Sequence, residues 1–102
     1  MNTCSVTNSP VAEMTVQKTV TILNRLGLHA RAAAKIAAVA NRFQAEIWLE
    51  HDGRRADAKN ILDLLCLGGS RGTQVQLQAR GPEAHEAVTA ISVLFSEFFG
   101  EL

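Results

Sequence analysis

The sequence contains little cysteine, which argues against a disulfide framework and a structural metal centre. Only two of 102 residues are cysteine. Cys4 and Cys66 lie far apart and outside the usual spacings of metal ligands. Two free thiols are the expected state, and this favours a reducing, cytoplasmic location. His51 and His85 are expected to be exposed bystanders with no third ligand near them, so we expect neither a metal site nor another cofactor.

The chain also lacks an excess of charge and any long apolar run. Ten basic and ten acidic residues give a formal net charge of zero. Electrostatic attraction to nucleic acid or to a membrane surface is therefore not expected. No apolar run reaches the length that crosses a bilayer, so no transmembrane helix is expected.

Residues 1–14 differ in composition from the rest of the chain. They are rich in Asn, Ser, Thr and Pro, and they lack the basic residues and apolar segment of a secretory signal. Such a composition predicts a mobile tail. The remaining residues, 15–102, are enough for one domain with one modest core, and 47% of the whole chain is hydrophobic.

Alternation of period two and helical periodicity divide this domain into seven elements in the order β-α-β-β-α-β-α. Polar residues on the outward strand positions indicate an antiparallel sheet with one face open to water and helices on the other. The sequence therefore predicts an α+β fold of the open-faced β-sandwich type. The expected strands are Thr15–Ile22, Ala45–His51, Arg54–Asp57 and Thr73–Arg80; the expected helices are Ala30–Arg42, Ile61–Cys66 and a last one with Pro82 in its first turn and Gly100 at its end.

The buried faces of these elements follow from the same patterns. The small side chains of the first helix should pack closely on the sheet. Trp48 should face outward on the open sheet, either half-covered by Gln and Glu side chains or as a contact for a partner. Lys18 interrupts the apolar face of the first strand. The expected core stripe of the last helix consists of Val88, Ile91, Leu94, Phe95 and Phe98.

The segment Gly27–Ala34 is the most informative part of the sequence. His29 stands where a loop ends and a helix begins, and Arg31 follows two residues later. Helix N-termini bind anions through free N–H groups and partial positive charge. Histidine can act as a nucleophile near neutral pH. This arrangement favours a phosphate held on His29, and the alternative is a histidine that only caps a helix.

Several short motifs together resemble the HPr family of histidine-containing phosphocarrier proteins. The resemblance covers about Thr15 to Leu102. The stretch Asn24–Gly27 is similar to the nitrogen-related, or NPr, branch of that family. The motifs that carry the resemblance are Gly27-Leu28-His29-Ala30-Arg31, Ala58-Lys59-Asn60-Ile61, Leu67-Gly68 and Gly72-Thr73.

The resemblance implies a function and a site. His29 would accept a phosphoryl group on Nδ1 from the phosphoenolpyruvate-dependent enzyme I and pass it to a IIA-type protein, so the protein would be a stoichiometric carrier and not an enzyme. Ala30, Arg31 and Ala32 would bind the phosphate. The implied sheet order is 1-4-2-3, with three helices on one face. The alternative is a regulatory binding module whose partner choice depends on phosphorylation of His29.

Two positions depart from the family pattern. Ala32 replaces a usual proline, which predicts a slightly looser helix start. Asn60 replaces the regulatory serine of one branch, so that site of phosphorylation is absent while the helix cap is kept.

The short second helix has more apolar residues than one buried face can use, which predicts a docking surface for partner proteins. Lys35 and Lys59 are candidates for a positive rim, and solvated surface lysines are the alternative. Packing is the expected role of Cys66. The resemblance places this surface beside His29, together with Leu28. The predicted partner-binding residues are Leu28, Ala34, Ile61, Leu62 and Leu65.

Overall fold

The computed structural model describes residues 15–101, so the predicted tail and Cys4 lie outside the described residues. Four strands and three α-helices alternate in the predicted order. The strands are β1 (Thr15–Thr21), β2 (Glu46–His51), β3 (Arg54–Asp57) and β4 (Gln74–Arg80), and the helices are α1 (Ala30–Ala40), α2 (Ile61–Leu67) and α3 (Ala84–Ser96), followed by a 3₁₀ turn, Phe98–Gly100.

The four strands form one antiparallel sheet in the order β1-β4-β2-β3. The predicted open-faced α+β sandwich and its strand order are therefore confirmed. A two-residue turn at Asp52 and Gly53 joins β2 to β3, and both residues have a positive φ, 54° and 75°. This is the geometry that the Asp-Gly pair favours in a tight hairpin. Among the described residues, no helix is long and apolar enough to cross a membrane.

One face of the sheet carries the hydrophobic core. Val75, Leu77 and Ala79 of the central strand β4 are fully buried beneath the helices. The long helix α3 contacts mainly β1 and β4, while α2 covers β3. The small apolar residues of α1, among them Ala33 and Ile36, are buried in the same core, and α1 also contacts α2 and α3. Alanine allows the helix to approach its neighbours closely.

The other face of the sheet is polar, and its side chains bond to one another. Gln17 and Gln76 are joined by a hydrogen bond of 3.0 Å, and Gln78 donates to Gln17 at 2.9 Å. Trp48 lies on this face as predicted, but it is only 9% exposed. The Arg55 guanidinium lies 4.2 Å from the centre of the Trp48 ring. The indole N–H of Trp48 donates to the side-chain oxygen of Gln78. Arginine and glutamine side chains thus cover the tryptophan, which removes the exposed contact surface that was the alternative.

The C-terminal end of the chain differs from the prediction. Helix α3 begins at Ala84, so Pro82 precedes it, and the helix ends at Ser96 instead of continuing to Gly100. Phe98 and Phe99 then take left-handed backbone angles, with φ of 58° and 53°. This turn buries Phe99, not Phe98, and places its ring 4.9 Å from that of Phe95. Helical periodicity assigned the wrong phenylalanine because the helix stops one turn early.

Lys18 lies on the helix side of the edge strand β1. Its ammonium group reaches the hydroxyl of Ser92 on α3 at 3.4 Å. The long methylene stem lets the charged end leave the core at the sheet edge, so the interruption of the apolar pattern is tolerated there.

Candidate functional site

A tight loop before α1 positions His29. The backbone N–H of Gly27 donates to the Asn24 carbonyl at 3.1 Å, and that of Leu28 donates to the Gly69 carbonyl at 2.9 Å. Gly27 has a φ of +72°, which a residue with a side chain rarely adopts. The first bond closes the loop on itself, and the second holds it against the glycine-rich segment after α2. The position of His29, directly before α1, is therefore fixed by the loop.

His29 is the N-cap of α1 and makes a contact with each ring nitrogen. Nδ1 accepts a hydrogen bond of 3.3 Å from the Arg31 backbone N–H. Nε2 lies 2.5 Å from Oε2 of Glu101. Because a carboxylate can only accept, Nε2 carries the proton and Nδ1 carries the lone pair. The side chain is 26% exposed, so a reactive nitrogen remains close to the surface.

The first turn of α1 is suited to an anion. The first hydrogen bond of the helix backbone runs from the Ala33 N–H to the His29 carbonyl. The N–H groups of Ala30, Arg31 and Ala32 therefore have no carbonyl partner within the helix. The first turn carries no acidic residue that would offset the positive end of the helix dipole. Arg31 is exposed beside His29, and Ala32 is buried without disturbing the helix start. The three residues predicted to hold phosphate thus share one helix turn.

Glu101 was not predicted as a site residue. Besides His29, it contacts the buried amide of Asn24, whose Nδ2 donates to Oε1 of Glu101 at 3.0 Å. This hydrogen bond is the main reason why the pKa of Glu101 is lowered from its ordinary value, although partial desolvation opposes the shift. The neighbouring His29 and Arg31 lower the pKa further. The carboxylate is therefore ionised throughout the neutral range and is protonated only in more acidic solution.

An open cleft of about 700 Å³ adjoins the contact between His29 and Glu101. Arg25, Arg31 and Arg71 line it together with Leu26 and Phe98. Leu26 is 64% exposed at this cleft. Three guanidinium groups around one depression form a local positive field on a chain without net charge. The sequence gives no signal for this cleft, because Arg25 and Arg71 come from loops far apart along the chain.

The predicted docking surface is present in part. Ala34 of α1 and Ile61 and Leu62 of α2 line one shallow groove, and Leu62 is 71% exposed. Leu65 is 37% exposed, whereas Leu64 is buried. Leu28 does not belong to this surface, because it is only 5% exposed and packs in the core. Its place directly before His29 in sequence does not give it an outward side chain.

Three further interpretations need correction. Lys35 and Lys59 are half-buried, and their ammonium groups donate to backbone carbonyls of Phe99 and Phe43, so neither is a purely solvated rim charge. Cys66 is exposed and does not pack in the core. His51 is half-buried, with Nε2 3.2 Å from the Leu67 carbonyl, and is not an exposed bystander. The described residues contain no group of three His, Cys, Asp or Glu side chains that could hold a metal ion.

The arrangement of His29, Arg31 and the helix start agrees with a comparison with known protein families. Residues 16–97 match the family model described as the PTS HPr component phosphorylation site. The chain belongs to the HPr family of phosphocarrier proteins. This family assignment confirms the resemblance seen in the sequence.

Relatives within the HPr family cover most of the chain. It is 40% identical over 86 residues to the phosphocarrier protein HPr of Cupriavidus necator, which covers 84% of this chain and 97% of that protein. It is 42% identical over 89 residues to the phosphocarrier protein NPr of Escherichia coli, covering 86% of this chain and 99% of that protein. A crystal structure of HPr from Thermoanaerobacter tengcongensis superimposes with a TM-score of 0.82 at 39% identity, covering 85% and 98% of the two chains.

The departure from the HPr pattern at Asn60 has a clear structural role. Its side-chain oxygen accepts the Asp63 backbone N–H at 3.1 Å, so Asn60 caps α2 as predicted. Asparagine provides this cap as well as serine does but offers no hydroxyl group. The capping function of the position is thereby kept without a site for serine phosphorylation.

Proposed function

We propose that the protein is a phosphocarrier that accepts a phosphoryl group on Nδ1 of His29 from enzyme I and passes it to a IIA-type acceptor. The observation that carries the proposal is the position of His29, with the Nδ1 lone pair at an uncompensated helix N-terminus and Arg31 beside it. The proposal includes a single carrier domain over residues 15–102, a monomeric state and a cytoplasmic location. The protein is a stoichiometric carrier in this scheme and catalyses nothing by itself.

The residues of the first turn account for both directions of transfer. Nδ1 attacks phosphorus in line, and the bond from phosphorus to the donor nitrogen breaks as the new bond forms. The N–H groups of Ala30 and Ala32 and the guanidinium of Arg31 stabilise the charge on the three phosphoryl oxygens. The Arg31 N–H that now bonds Nδ1 becomes available to a phosphoryl oxygen. Because the site is shallow and half-exposed, a phosphoryl group held there stays accessible to the acceptor.

Partner proteins would approach the surface that surrounds His29. The groove of Ala34, Ile61 and Leu62 and the cleft of Arg25, Arg31 and Arg71 each include a residue from the first half of α1, the helix that His29 caps. An apolar patch next to a positive cleft fits a partner surface with apolar side chains at its centre and carboxylates at its edge. Any protein that reaches His29 for phosphoryl transfer would cover part of both features.

Arg31→Ala is expected to slow phosphorylation by enzyme I roughly ten- to a hundred-fold, because one charge-assisted contact worth about 1.5–3 kcal/mol is lost in the transition state. The fold should be unchanged, since Arg31 is exposed. Single-turnover kinetics measure the rate. Arg42→Ala, which removes the same charge beyond the other end of α1, is the matched control and should transfer at the wild-type rate. Equal rates for the two variants would show that the backbone N–H groups suffice.

Leu62→Asp is expected to weaken binding to enzyme I roughly ten- to a hundred-fold, because a leucine side chain buried in an interface contributes about 1.5–3 kcal/mol. The midpoint of thermal unfolding should change little, because Leu62 is 71% exposed. Val93→Asp on α3 is the control, since Val93 is an exposed apolar residue away from the groove. Calorimetric titration measures the affinities. Unfolding of the Leu62 variant, or equal affinity for both variants, would remove Leu62 from the docking surface.

A regulatory role is a second candidate, and the contact of His29 with Glu101, which lines the arginine cleft, favours it. A phosphoryl group added to His29 places about two negative charges beside that cleft. A partner with carboxylates would then bind the unmodified form, and its affinity would fall on phosphorylation. Affinity measurements with both forms test this role. Identical affinities would leave only the carrier function.

The carrier function is tested by reconstituting the relay. Enzyme I, phosphoenolpyruvate and a IIA-type protein are mixed with and without this protein in an amount far below that of the acceptor. We expect the acceptor to be phosphorylated completely only when the carrier is present, because each carrier molecule is loaded and discharged many times. Phosphorylation of the carrier without any transfer onward would favour the regulatory role instead.

A further inference from the structure

We infer that Glu101 is a positioning residue for phosphoryl transfer, which keeps the proton of His29 on Nε2 and stabilises the positive charge that the ring gains when Nδ1 binds phosphorus. This inference rests on the proposed function and deepens it, since it concerns the same histidine. Three independent features of the described residues support it: the contact itself, the fixed amide of Asn24, and the strained turn that brings Glu101 into place.

The contact orients the ring. Oε2 of Glu101 lies 2.5 Å from Nε2 of His29, and the Glu101 side chain is only 15% exposed. On the opposite edge of the ring, the Arg31 N–H points at Nδ1. A hydrogen-bond acceptor at one nitrogen and a donor at the other favour the same tautomer. Carboxylates that orient a histidine in this way occur beside catalytic and metal-binding histidines in unrelated proteins.

Asn24 holds the carboxylate in that position. Its Nδ2 donates to the Gly27 carbonyl at 2.8 Å and to Oε1 of Glu101 at 3.0 Å. A flipped amide would direct its oxygen at two other oxygens, so only this orientation is possible. The remaining amide oxygen of Asn24 is buried and has no hydrogen-bond partner among the described residues. The two bonds that the amide donates therefore tie the Glu101 carboxylate to the loop before α1.

The C-terminal turn is strained, and its result is the contact with His29. Phe98 and Phe99 are two consecutive non-glycine residues in the left-handed region, with φ of 58° and 53°. Such residues persist only where surrounding contacts enforce them, and they are frequent at functional sites. Here the buried Phe99 ring and the bond from Lys35 Nζ to the Phe99 carbonyl, at 2.5 Å, enforce the turn. The chain is thereby turned back toward the start of α1.

The chemistry of the transfer explains why a carboxylate is useful at this place. When neutral His29 attacks, the Nδ1–P bond forms and the bond from phosphorus to the donor breaks, with its electron pair leaving on the donor. The ring keeps its Nε2 proton and becomes a cation, so no proton has to move during the step. That positive charge develops directly against Glu101, which is ionised and already in place. In the reverse direction the cationic ring leaves as neutral imidazole.

Glu101→Gln is the informative substitution, because the local hydrogen bonds dictate how the glutamine lies. Asn24 still needs an acceptor, so the new amide oxygen turns to Asn24 and the new NH₂ group turns to His29. Nε2 then faces a donor, and the ring proton moves to Nδ1, which displaces the long 3.3 Å bond from the Arg31 N–H and removes the nucleophilic lone pair. Glu97→Gln is the matched control, since Glu97 is an exposed acid four residues earlier.

Nitrogen-15 NMR of the unphosphorylated protein, in mildly alkaline buffer where imidazole is neutral, reads the tautomer directly. Potassium phosphoramidate serves as a chemical phosphoryl donor, so this part of the test needs no enzyme I. We expect the proton on Nε2 in the wild type and Glu97→Gln, a shift of the proton to Nδ1 in Glu101→Gln, and at least about ten-fold slower phosphorylation of that variant. Asn24→Ala should show a smaller change in the same direction.

Unchanged tautomer and unchanged rate in Glu101→Gln would overturn the inference. The outcome is separable from that of the proposed function. If enzyme I phosphorylates wild type and Glu101→Gln equally, the carrier function stands and the role of Glu101 fails. If phosphoramidate modifies His29 with the expected dependence on Glu101 but enzyme I does not act on it, the role of Glu101 stands and the carrier function fails.

Discussion

Gly27→Ala is expected to destabilise the domain by about 3 kcal/mol or more, through left-handed strain, a steric clash and a lost hydrogen bond. A Cβ atom at Gly27 would lie 2.4 Å from the Gly69 carbonyl oxygen, and this oxygen is fixed by its bond from the Leu28 N–H. Either the backbone at Gly27 or the backbone at Gly69 must therefore move to relieve the clash. Such a loss is a large part of the roughly 5–15 kcal/mol that stabilises a typical domain.

Gly53→Ala is the control for that prediction. Gly53 has nearly the same positive φ as Gly27, 75°, but a Cβ atom there would meet nothing within 4 Å. This variant should lose only about 1 kcal/mol from left-handed strain. Denaturant unfolding measures both variants. If Gly27→Ala is no less stable than the control, the loop is free to shift and does not fix His29 as described.

The second large effect is expected for His29→Ala, which should abolish phosphorylation by phosphoenolpyruvate and enzyme I completely. No neighbouring side chain in the first turn of α1 can replace the nucleophile, since alanines and Arg31 surround it. The fold should survive with a loss of about 1 kcal/mol, because the helix cap is removed. His85→Ala is the control, since His85 is exposed on α3, and it should accept phosphate like wild type. Residual phosphorylation of the His29 variant would reveal a second acceptor residue.

Signals that are local in sequence predicted much of the local geometry correctly. His29 caps α1 and Asn60 caps α2 because a capping side chain and the helix it begins are adjacent along the chain. The Asp52-Gly53 turn follows from the positive φ that these residues tolerate. The order of the strands in the sheet is not local, and its prediction came from the family resemblance.

Features that depend on the tertiary fold were not predicted. Glu101 meets His29 across 72 positions, and the contact exists only because two phenylalanines leave the helical region before it. The pattern of apolar residues favoured a helix that continues to Gly100, and the helix propensities of residues 97–99 gave no reason to end it earlier. Leu28 was predicted at the docking surface from the family resemblance, although the fold turns its side chain inward. A hydrophobic residue in a loop carries no periodicity that reveals its direction.

The most direct test of the account is to map the phosphate on the wild-type protein after incubation with phosphoenolpyruvate and enzyme I. Peptides are prepared at alkaline pH and analysed by mass spectrometry, and an aliquot is treated with acid first. The account predicts one phosphate, on His29, stable to base and lost in acid. Phosphate on His51, His85 or a hydroxyl side chain, or no phosphate on this protein while enzyme I itself is phosphorylated, would contradict it.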